Sequence, residues 1–244
     1  MKITKLVILF NFKKILIGLF ISLISYLFSN FIDNEIITKA LIIFSGLILL
    51  NIILSILASY LLYDKSDLYK LENLPDYLNL NQIKNGIFIH ASFDPISRYL
   101  QKKYPKMKLV VCDIYENRHL EEKMVSISKK EFPPNPREIK IDPTELPFKD
   151  NSQEIIFAVT SLHEILQHSK RVEFFKEAKR VLKTNGIIII SEQMRNGINF
   201  TFFNIGAFHF LTKKKWKNAI KESGLEIYHT KRINMFAEMI IIKT

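Results

Sequence analysis

Two uncharged apolar runs at the start of the chain constrain its fold more than any other feature. "ILIGLFISLISYLFSNFI" (Ile15 to Ile32) and "ALIIFSGLILLNIILSILASYLLY" (Ala40 to Tyr63) are each long enough to span a hydrocarbon core as a helix. Only "DNEIITK" separates them, so two antiparallel spans are the natural reading. Both runs are apolar on every face, and a soluble helical hairpin of that kind would need a large surrounding core. A cleaved leader fits poorly, because the first run ends in Ser-Asn-Phe-Ile-Asp and offers no small-x-small cleavage site. Lys2, Lys5, Lys13 and Lys14 precede the first span, which predicts a cytoplasmic N-terminus. Two crossings then return the chain to the cytoplasm, giving a two-pass protein of the cell (inner) membrane.

The rest of the chain is far less apolar. A hairpin over 1–63, a polar linker over 64–85 and a globular domain over 86–244 are therefore expected. The net charge of +11 suits an anionic membrane surface. No arginine-rich arm, zinc-finger spacing or RNP-like aromatic motif accompanies that charge, so nucleic acid is not expected as a partner. The single cysteine, Cys112, excludes an internal disulfide and reads as buried filler in a strand.

Within the globular part, strands and helices alternate. Ile87 to Ala91 reads as a strand, followed by a helix opened by Asp94 as N-cap with Pro95 at its first position. "KLVVCD" (Lys108 to Asp113) is a second strand, Glu116 to Lys130 a helix, and "REIKID" a short strand ending at Asp142. "QEIIFAVTS" (Gln153 to Ser161) has the near-continuous apolar content of a strand covered on both faces. A helix then runs to an Asn185-Gly186 stop before "IIII" (Ile187 to Ile190). A last helix, Thr212 to Ser223, precedes two strands near Leu225 to Lys231 and Ala237 to Lys243. The predicted class is α/β: a Rossmann-like, mostly parallel sheet closed by a C-terminal antiparallel hairpin. Ligands of such sheets bind outside the carboxyl ends of the strands. Those ends carry His90-Ala91-Ser92-Phe93-Asp94, Asp113, Asp142-Pro143, Thr160-Ser161-Leu162-His163-Glu164 and Ser191-Glu192.

"IDPTELPFKDNSQEIIFAVTSLHEI" followed by "FFKEAKRVLKTNGIIIISE" resembles class I S-adenosylmethionine-dependent methyltransferases of the type 11 kind. The likeness lies in an Asp, two residues, Glu-Leu-Pro-Phe, a polar turn and the fourth strand, then Arg-Val-Leu-Lys-x-x-Gly leading into the fifth. It covers about Asn85 to Thr244. "SFDPIS", "LHEI" and "AFHF" also resemble a membrane-anchored branch of that superfamily. The resemblance implies S-adenosylmethionine as cofactor. His90, Ala91, Ser92, Phe93 and Asp94 would then border its methionine part. Asp113 would bind the ribose hydroxyls with Ile114 against the adenine, and Asp142 and Pro143 would lie at the adenine edge. Thr160 and Ser161 would line the floor near the sulfonium. The sequence departs from the family in its first loop, which holds no glycine between Ile87 and Pro105.

His163 and Glu164 are the candidate acid–base groups beside the methyl donor; the alternative is that they cap a helix or pack at the sheet edge. The "HEILQH" stretch does not match a zinc protease, because His163 and His168 are five apart where one helical face requires four. There is no Gly-x-Ser-x-Gly elbow and no P-loop, and no metal is expected. Glu192, Arg195, Asn199 and His209 are the candidate acceptor-binding residues, in a segment rich in phenylalanine. The expected function is methyl transfer to a small, lipophilic acceptor, a small molecule or a lipid, at the cytoplasmic membrane face. The alternative is an inactive domain of the same fold acting as a membrane-tethered binding partner.

Overall fold

The computed structural model describes residues 2–72, 74–75, 77–115 and 122–244. The chain divides into two compact units, Met1–Lys65 and Ser66–Thr244. The division falls just after the second apolar run. Tyr69, in the stretch expected as a linker, belongs to the second unit.

The first unit is a helical hairpin. Helix α1 (Lys2–Ser29) begins well before the apolar run, so the lysine-bearing N-terminus is itself helical. Helix α2 (Glu35–Ser59) starts directly after Asn34, whose side chain accepts from the backbone N–H groups of Ile36 and Ile37 at 3.0 and 3.2 Å. That cap draws "EIITK" into the helix, so the turn between the helices is shorter than the sequence suggests. The Ser22 and Ser45 hydroxyls meet at 2.9 Å between the helices. A π-helical turn, Tyr60–Lys65, extends α2 and carries Asp64 to the start of α1. There the Asp64 carboxylate accepts from the backbone N–H groups of Ile3 and Thr4, each at 3.1 Å, and from the Thr4 hydroxyl. Helix starts leave such donors without intrahelical partners, so Asp64 closes the hairpin at its open end. Phe20, Ile43 and Ile53 are exposed, as are many large apolar side chains of both helices. By length and composition, both helices can cross a membrane.

The second unit is built on a seven-stranded sheet of order β3-β2-β1-β4-β5-β7-β6. Its strands are β1 (Asn85–His90), β2 (Lys108–Asp113), β3 (Ile139–Lys140), β4 (Gln153–Val159), β5 (Leu182–Gln193), β6 (Glu226–Arg232) and β7 (Ala237–Lys243). β7 pairs antiparallel with both β5 and β6, while the other pairings are parallel. This is the predicted class: a parallel core closed by a C-terminal hairpin. The connecting helices are α3 (Ser97–Lys103), α4 (Glu122–Glu131), α5 (His168–Val181), α6 (Gly197–Phe203) and α7 (Lys213–Glu222). Residues 116–121, expected to open α4, lie outside the described residues. Isoleucines of β1, β4, β5 and β7 join Phe174, Phe175 and Ala178 of α5 and Trp216 and Ile220 of α7 in one core. Cys112 is buried in β2, and burial pushes its thiol pKa up to about 12, so it is inert filler.

Two helix ends illustrate where the structure departs from the sequence reading. The Asp94 carboxylate does cap a helix start, accepting from the Ile96 and Ser97 N–H groups at 3.2 and 2.8 Å and from the Ser97 hydroxyl. The helix nevertheless begins at Ser97, beyond Pro95. Helix α5 ends at Val181, four residues before Asn185, because Leu182 already pairs with Gln153 in the sheet. Asn185-Gly186 instead returns the chain from a bulge in β5. Asn185 has φ of 62°, and a Cβ on Gly186 would stand 2.7 Å from the Lys183 carbonyl oxygen.

Chain order reverses between β1 and β4. The chain builds outward through β2 and β3, then returns to the other side of β1. Such a switch point opens a crevice at the carboxyl ends of the two neighbouring strands.

Candidate active site

At the β1 end the loop is tied to β2 by one carboxylate. Asp113, buried, accepts on Oδ1 from the N–H groups of Ser92 at 2.8 Å and Tyr115 at 2.9 Å. Ile114 donates to the His90 carbonyl at 2.9 Å and is itself buried. Ser92 takes φ of 57°, the left-handed conformation that glycine adopts at no cost. The loop thus makes a glycine-like turn with small side chains at Ala91 and Ser92. Phe93 points its ring at Phe132 and Tyr69, with centroids 5.1 and 6.1 Å away.

His90 is buried behind this loop. Its Nδ1 lies 3.9 Å from Asp113 Oδ1 and its Nε2 lies 3.4 Å from Glu138 Oε2. Among the described residues, neither nitrogen has a hydrogen-bond partner, and Glu138 Oε2 is also buried without one. Buried polar groups are rarely left this way.

Farther along the edge, Asp142 accepts from Thr144 through its N–H at 2.8 Å and its hydroxyl at 2.7 Å. Those bonds hold the Asp142 carboxyl below its ordinary pKa. Pro143 beside it is buried. The "ELPFKD" loop is held by Arg180 of α5, which donates to the Leu146 and Phe148 carbonyls, each at 2.9 Å, and to Asp150 at 2.6 Å. The Leu-Pro-Phe and Arg-Val-Leu-Lys pieces of sequence are therefore partners in space.

The β4 end is the most organised. Thr160 has φ of 46°, a strained value for a β-branched residue, and its hydroxyl meets the Tyr69 hydroxyl at 2.7 Å. The Ser161 hydroxyl donates to the Ile89 carbonyl at 3.0 Å, joining β4 to β1. Glu192, fully buried at the end of β5, accepts on Oε1 from the N–H groups of Ser161 and Leu162 at 3.0 and 2.9 Å. Its Oε2 meets His163 Nδ1 at 2.7 Å. A carboxylate can only accept, so Nδ1 carries the proton and Nε2 the lone pair. Glu164 Oε1 lies 3.7 Å from that Nε2 and 3.1 Å from His209 Nε2.

The structure thus brings His163, Glu164, Glu192 and His209 together. Glu192 faces protein groups on both oxygens and orients His163. Arg195 and Asn199, expected near the acceptor, are engaged with backbone. Arg195 Nε donates to the Phe210 carbonyl at 2.7 Å and its terminal nitrogen to the Phe208 carbonyl. Asn199 Nδ2 donates to the Met194 and Phe236 carbonyls, each at 2.9 Å. Tyr69 and Glu138 were not singled out from the sequence. One precedes the first strand and the other follows a run of prolines, so no local pattern marks them.

Residues 96–190 match the family described as a methyltransferase domain. The second unit has the class I methyltransferase fold. Its fold resembles a S-adenosylmethionine-dependent methyltransferase from Aquifex aeolicus at 14% identity and TM-score 0.56, covering 76% of this chain and 92% of that one. It also resembles a chain of the complex between the Haloferax volcanii Trm112 methyltransferase activator and its methyltransferase, at 10% identity and TM-score 0.52, covering 74% and 90%. A third likeness, to PigF with SAH, has 12% identity and TM-score 0.50 and covers 80% and 58%. Among curated proteins, none matches the chain.

S-adenosylmethionine is the cofactor that the methyltransferase match implies. The residues at the switch point fit it. Ser92 supplies the glycine-like turn, Ala91 and Ser92 keep the loop narrow, and His90 and Glu138 present buried polar atoms with unmet hydrogen bonds.

Proposed function

We propose that this methyltransferase domain methylates a small, lipophilic acceptor at the cytoplasmic face of a membrane, with the α1–α2 hairpin as its anchor. The observation that carries the reading is the Glu192–His163 pair, which holds one imidazole in a fixed tautomer beside the switch point. Asp113 and Ile114 would hold the ribose and adenine, with Asp142 and Pro143 at the adenine edge. His90 to Asp94 would border the methionine part, and Thr160 and Ser161 would form the floor beneath the sulfonium. When bound, the cofactor supplies an electrophilic methyl group. The chain's own residues then position the acceptor, exclude water and handle the acceptor's proton, and alignment is the larger contribution. His163 is the residue that meets the acceptor's polar atom.

Support for a lipophilic acceptor comes from Ile205 and Phe208, exposed in the turn that carries His209, and from Leu166, exposed two residues beyond Glu164. Support for the anchor comes from the exposed apolar faces of α1 and α2, and for their orientation from the N-terminal lysines.

Calorimetric titration of the full-length protein in detergent with S-adenosylmethionine tests the cofactor placement. Binding at micromolar concentration is expected, with Asp113→Ala weakening it at least tenfold. A folded protein that gives no heat at high micromolar cofactor overturns the reading, as does full affinity in the Asp113 variant.

A further inference from the structure

We propose that His163, Glu164 and His209 form a binding site for a single divalent transition-metal ion of the zinc class, with a remaining coordination position open to the acceptor. The inference deepens the functional reading, resting on it for the acceptor and on the side-chain geometry alone for the metal.

The donor atoms of the three residues all lie within 4.8 Å of one another. Around a tetrahedral ion with ligand bonds of roughly 2.0–2.1 Å, donors stand about 3.3 Å apart. The separations of 3.7 Å from Glu164 Oε1 to His163 Nε2, and of 3.1 Å to His209 Nε2, bracket that value. Two imidazoles and one carboxylate make the three-ligand set of an open zinc site, and softer or harder ions fit these donors less well.

What separates the cluster from an accidental one is the shell behind it. Metal-bound histidines have their second nitrogen held by a carboxylate or carbonyl, which fixes the ring and raises its basicity. Glu192 does this for His163 at 2.7 Å, and two backbone N–H groups fix Glu192 in turn. On the other side, Arg195 donates to the carbonyls of Phe208 and Phe210, the residues flanking His209, and its guanidinium lies 5.6 Å from the Phe208 ring centroid. The turn that carries His209 is thereby clamped from within the domain. Arg195 is a positioning residue for that ligand.

His209 and Glu164 share a proton before the ion arrives. Nε2–H of His209 donates to Glu164 Oε1, so metal binding requires that hydrogen bond to break and the ring to carry its proton on Nδ1 instead. With the ion in place, the His163 lone pair would belong to the metal, and His163 would meet the acceptor's polar atom through the ion. A hydroxyl or carboxylate oxygen of the acceptor would take the open position, and a hydroxyl bound there would give up its proton to water more readily than in solution. The acceptor class this favours is one with an oxygen donor.

The test uses full-length protein in detergent, stripped with a chelator and titrated calorimetrically with Zn²⁺, with Co²⁺ as a spectroscopic probe. One ion per chain is expected, with the visible bands of a low-symmetry cobalt site. His209→Ala and Glu164→Gln should each weaken binding more than tenfold. Glu192→Gln should weaken it roughly 10–100-fold without removing a ligand. His168→Ala, at an exposed pair with Glu222 elsewhere, should change nothing. Absence of stoichiometric Zn²⁺ and Co²⁺ binding by folded protein overturns the proposal, and so does unchanged affinity in His209→Ala, whose exposed side chain makes misfolding no explanation. The same samples titrated with S-adenosylmethionine separate the two readings. Cofactor heat without metal binding sinks only the metal site, and metal binding without cofactor heat sinks only the cofactor placement.

Discussion

Among the described residues, the second unit has two buried histidines that stand in similar places and are treated in opposite ways. His90 ends β1 and His163 follows β4, and each has a carboxylate on a neighbouring element. His163 donates to Glu192 at 2.7 Å, and every oxygen of Glu192 has a partner. His90 lies 3.9 and 3.4 Å from Asp113 and Glu138 and hydrogen-bonds to neither. One pair is complete within the protein; the other has donors and acceptors to spare. The difference teaches that one end satisfies its buried polar atoms within the protein, while the other leaves them unmet.

Substitutions should break this comparison in a definite order. Glu192→Ala should have the largest effect. It leaves the Ser161 and Leu162 N–H groups and His163 without their buried partner, at a cost of about 3–5 kcal/mol. At roughly 2–4 °C per kcal/mol for a domain of this size, the thermal midpoint should fall by about 10 °C. A fall of only a degree or two would mean that the pair is not the keystone of the β4–β5 end.

His90→Leu should act in the other direction. Removing a buried polar ring with unmet hydrogen bonds should leave stability unchanged or raise it by about 1 kcal/mol, while cofactor affinity falls. Calorimetry and thermal melting on the same samples would show it. A loss of stability comparable to that of Glu192→Ala would erase the distinction between the two ends.

Ser92→Gly sharpens the comparison further. A non-glycine residue at φ of 57° pays for a left-handed turn, so glycine should stabilise by up to about 1 kcal/mol, as measured by denaturant unfolding. Destabilisation would mean that the serine side chain holds the loop.

The smallest effect is the pH dependence of the α5 anchor. The Arg180 guanidinium beside Glu177 holds its carboxyl below the ordinary value near 4.5, against the opposing effect of burial. A depressed pKa in the folded state adds stability that is present above the unfolded value and is lost as pH falls through the folded one. Acid unfolding below about pH 4.5 should therefore be flatter in Glu177→Gln than in the parent protein.

Much of the fold was legible because strands and helices announce themselves locally. "KLVVCD" has the bounds of β2, Thr212 caps α7 through the Lys215 N–H at 3.3 Å, and the last two strands pair as a hairpin. The errors fell where a tertiary pairing overrode a local signal. Asn185-Gly186 is a good helix stop in isolation, yet Leu182 had already been claimed by Gln153 of β4.

The candidate site divides in the same way. Sequence order alone determined that polar residues would gather at the carboxyl ends of a parallel sheet, since chain direction decides which end of each strand is shared. It also determined the apolar hairpin, since composition and length are sufficient for that. Only the tertiary structure decided what each side chain does there. Glu192 orients His163, Arg195 clamps the turn of His209, and Tyr69 reaches Thr160 across 91 residues of sequence. A hydrogen bond is specified by a distance of about 3 Å and an angle. No spacing along the chain encodes either when the partners sit on different elements of the sheet.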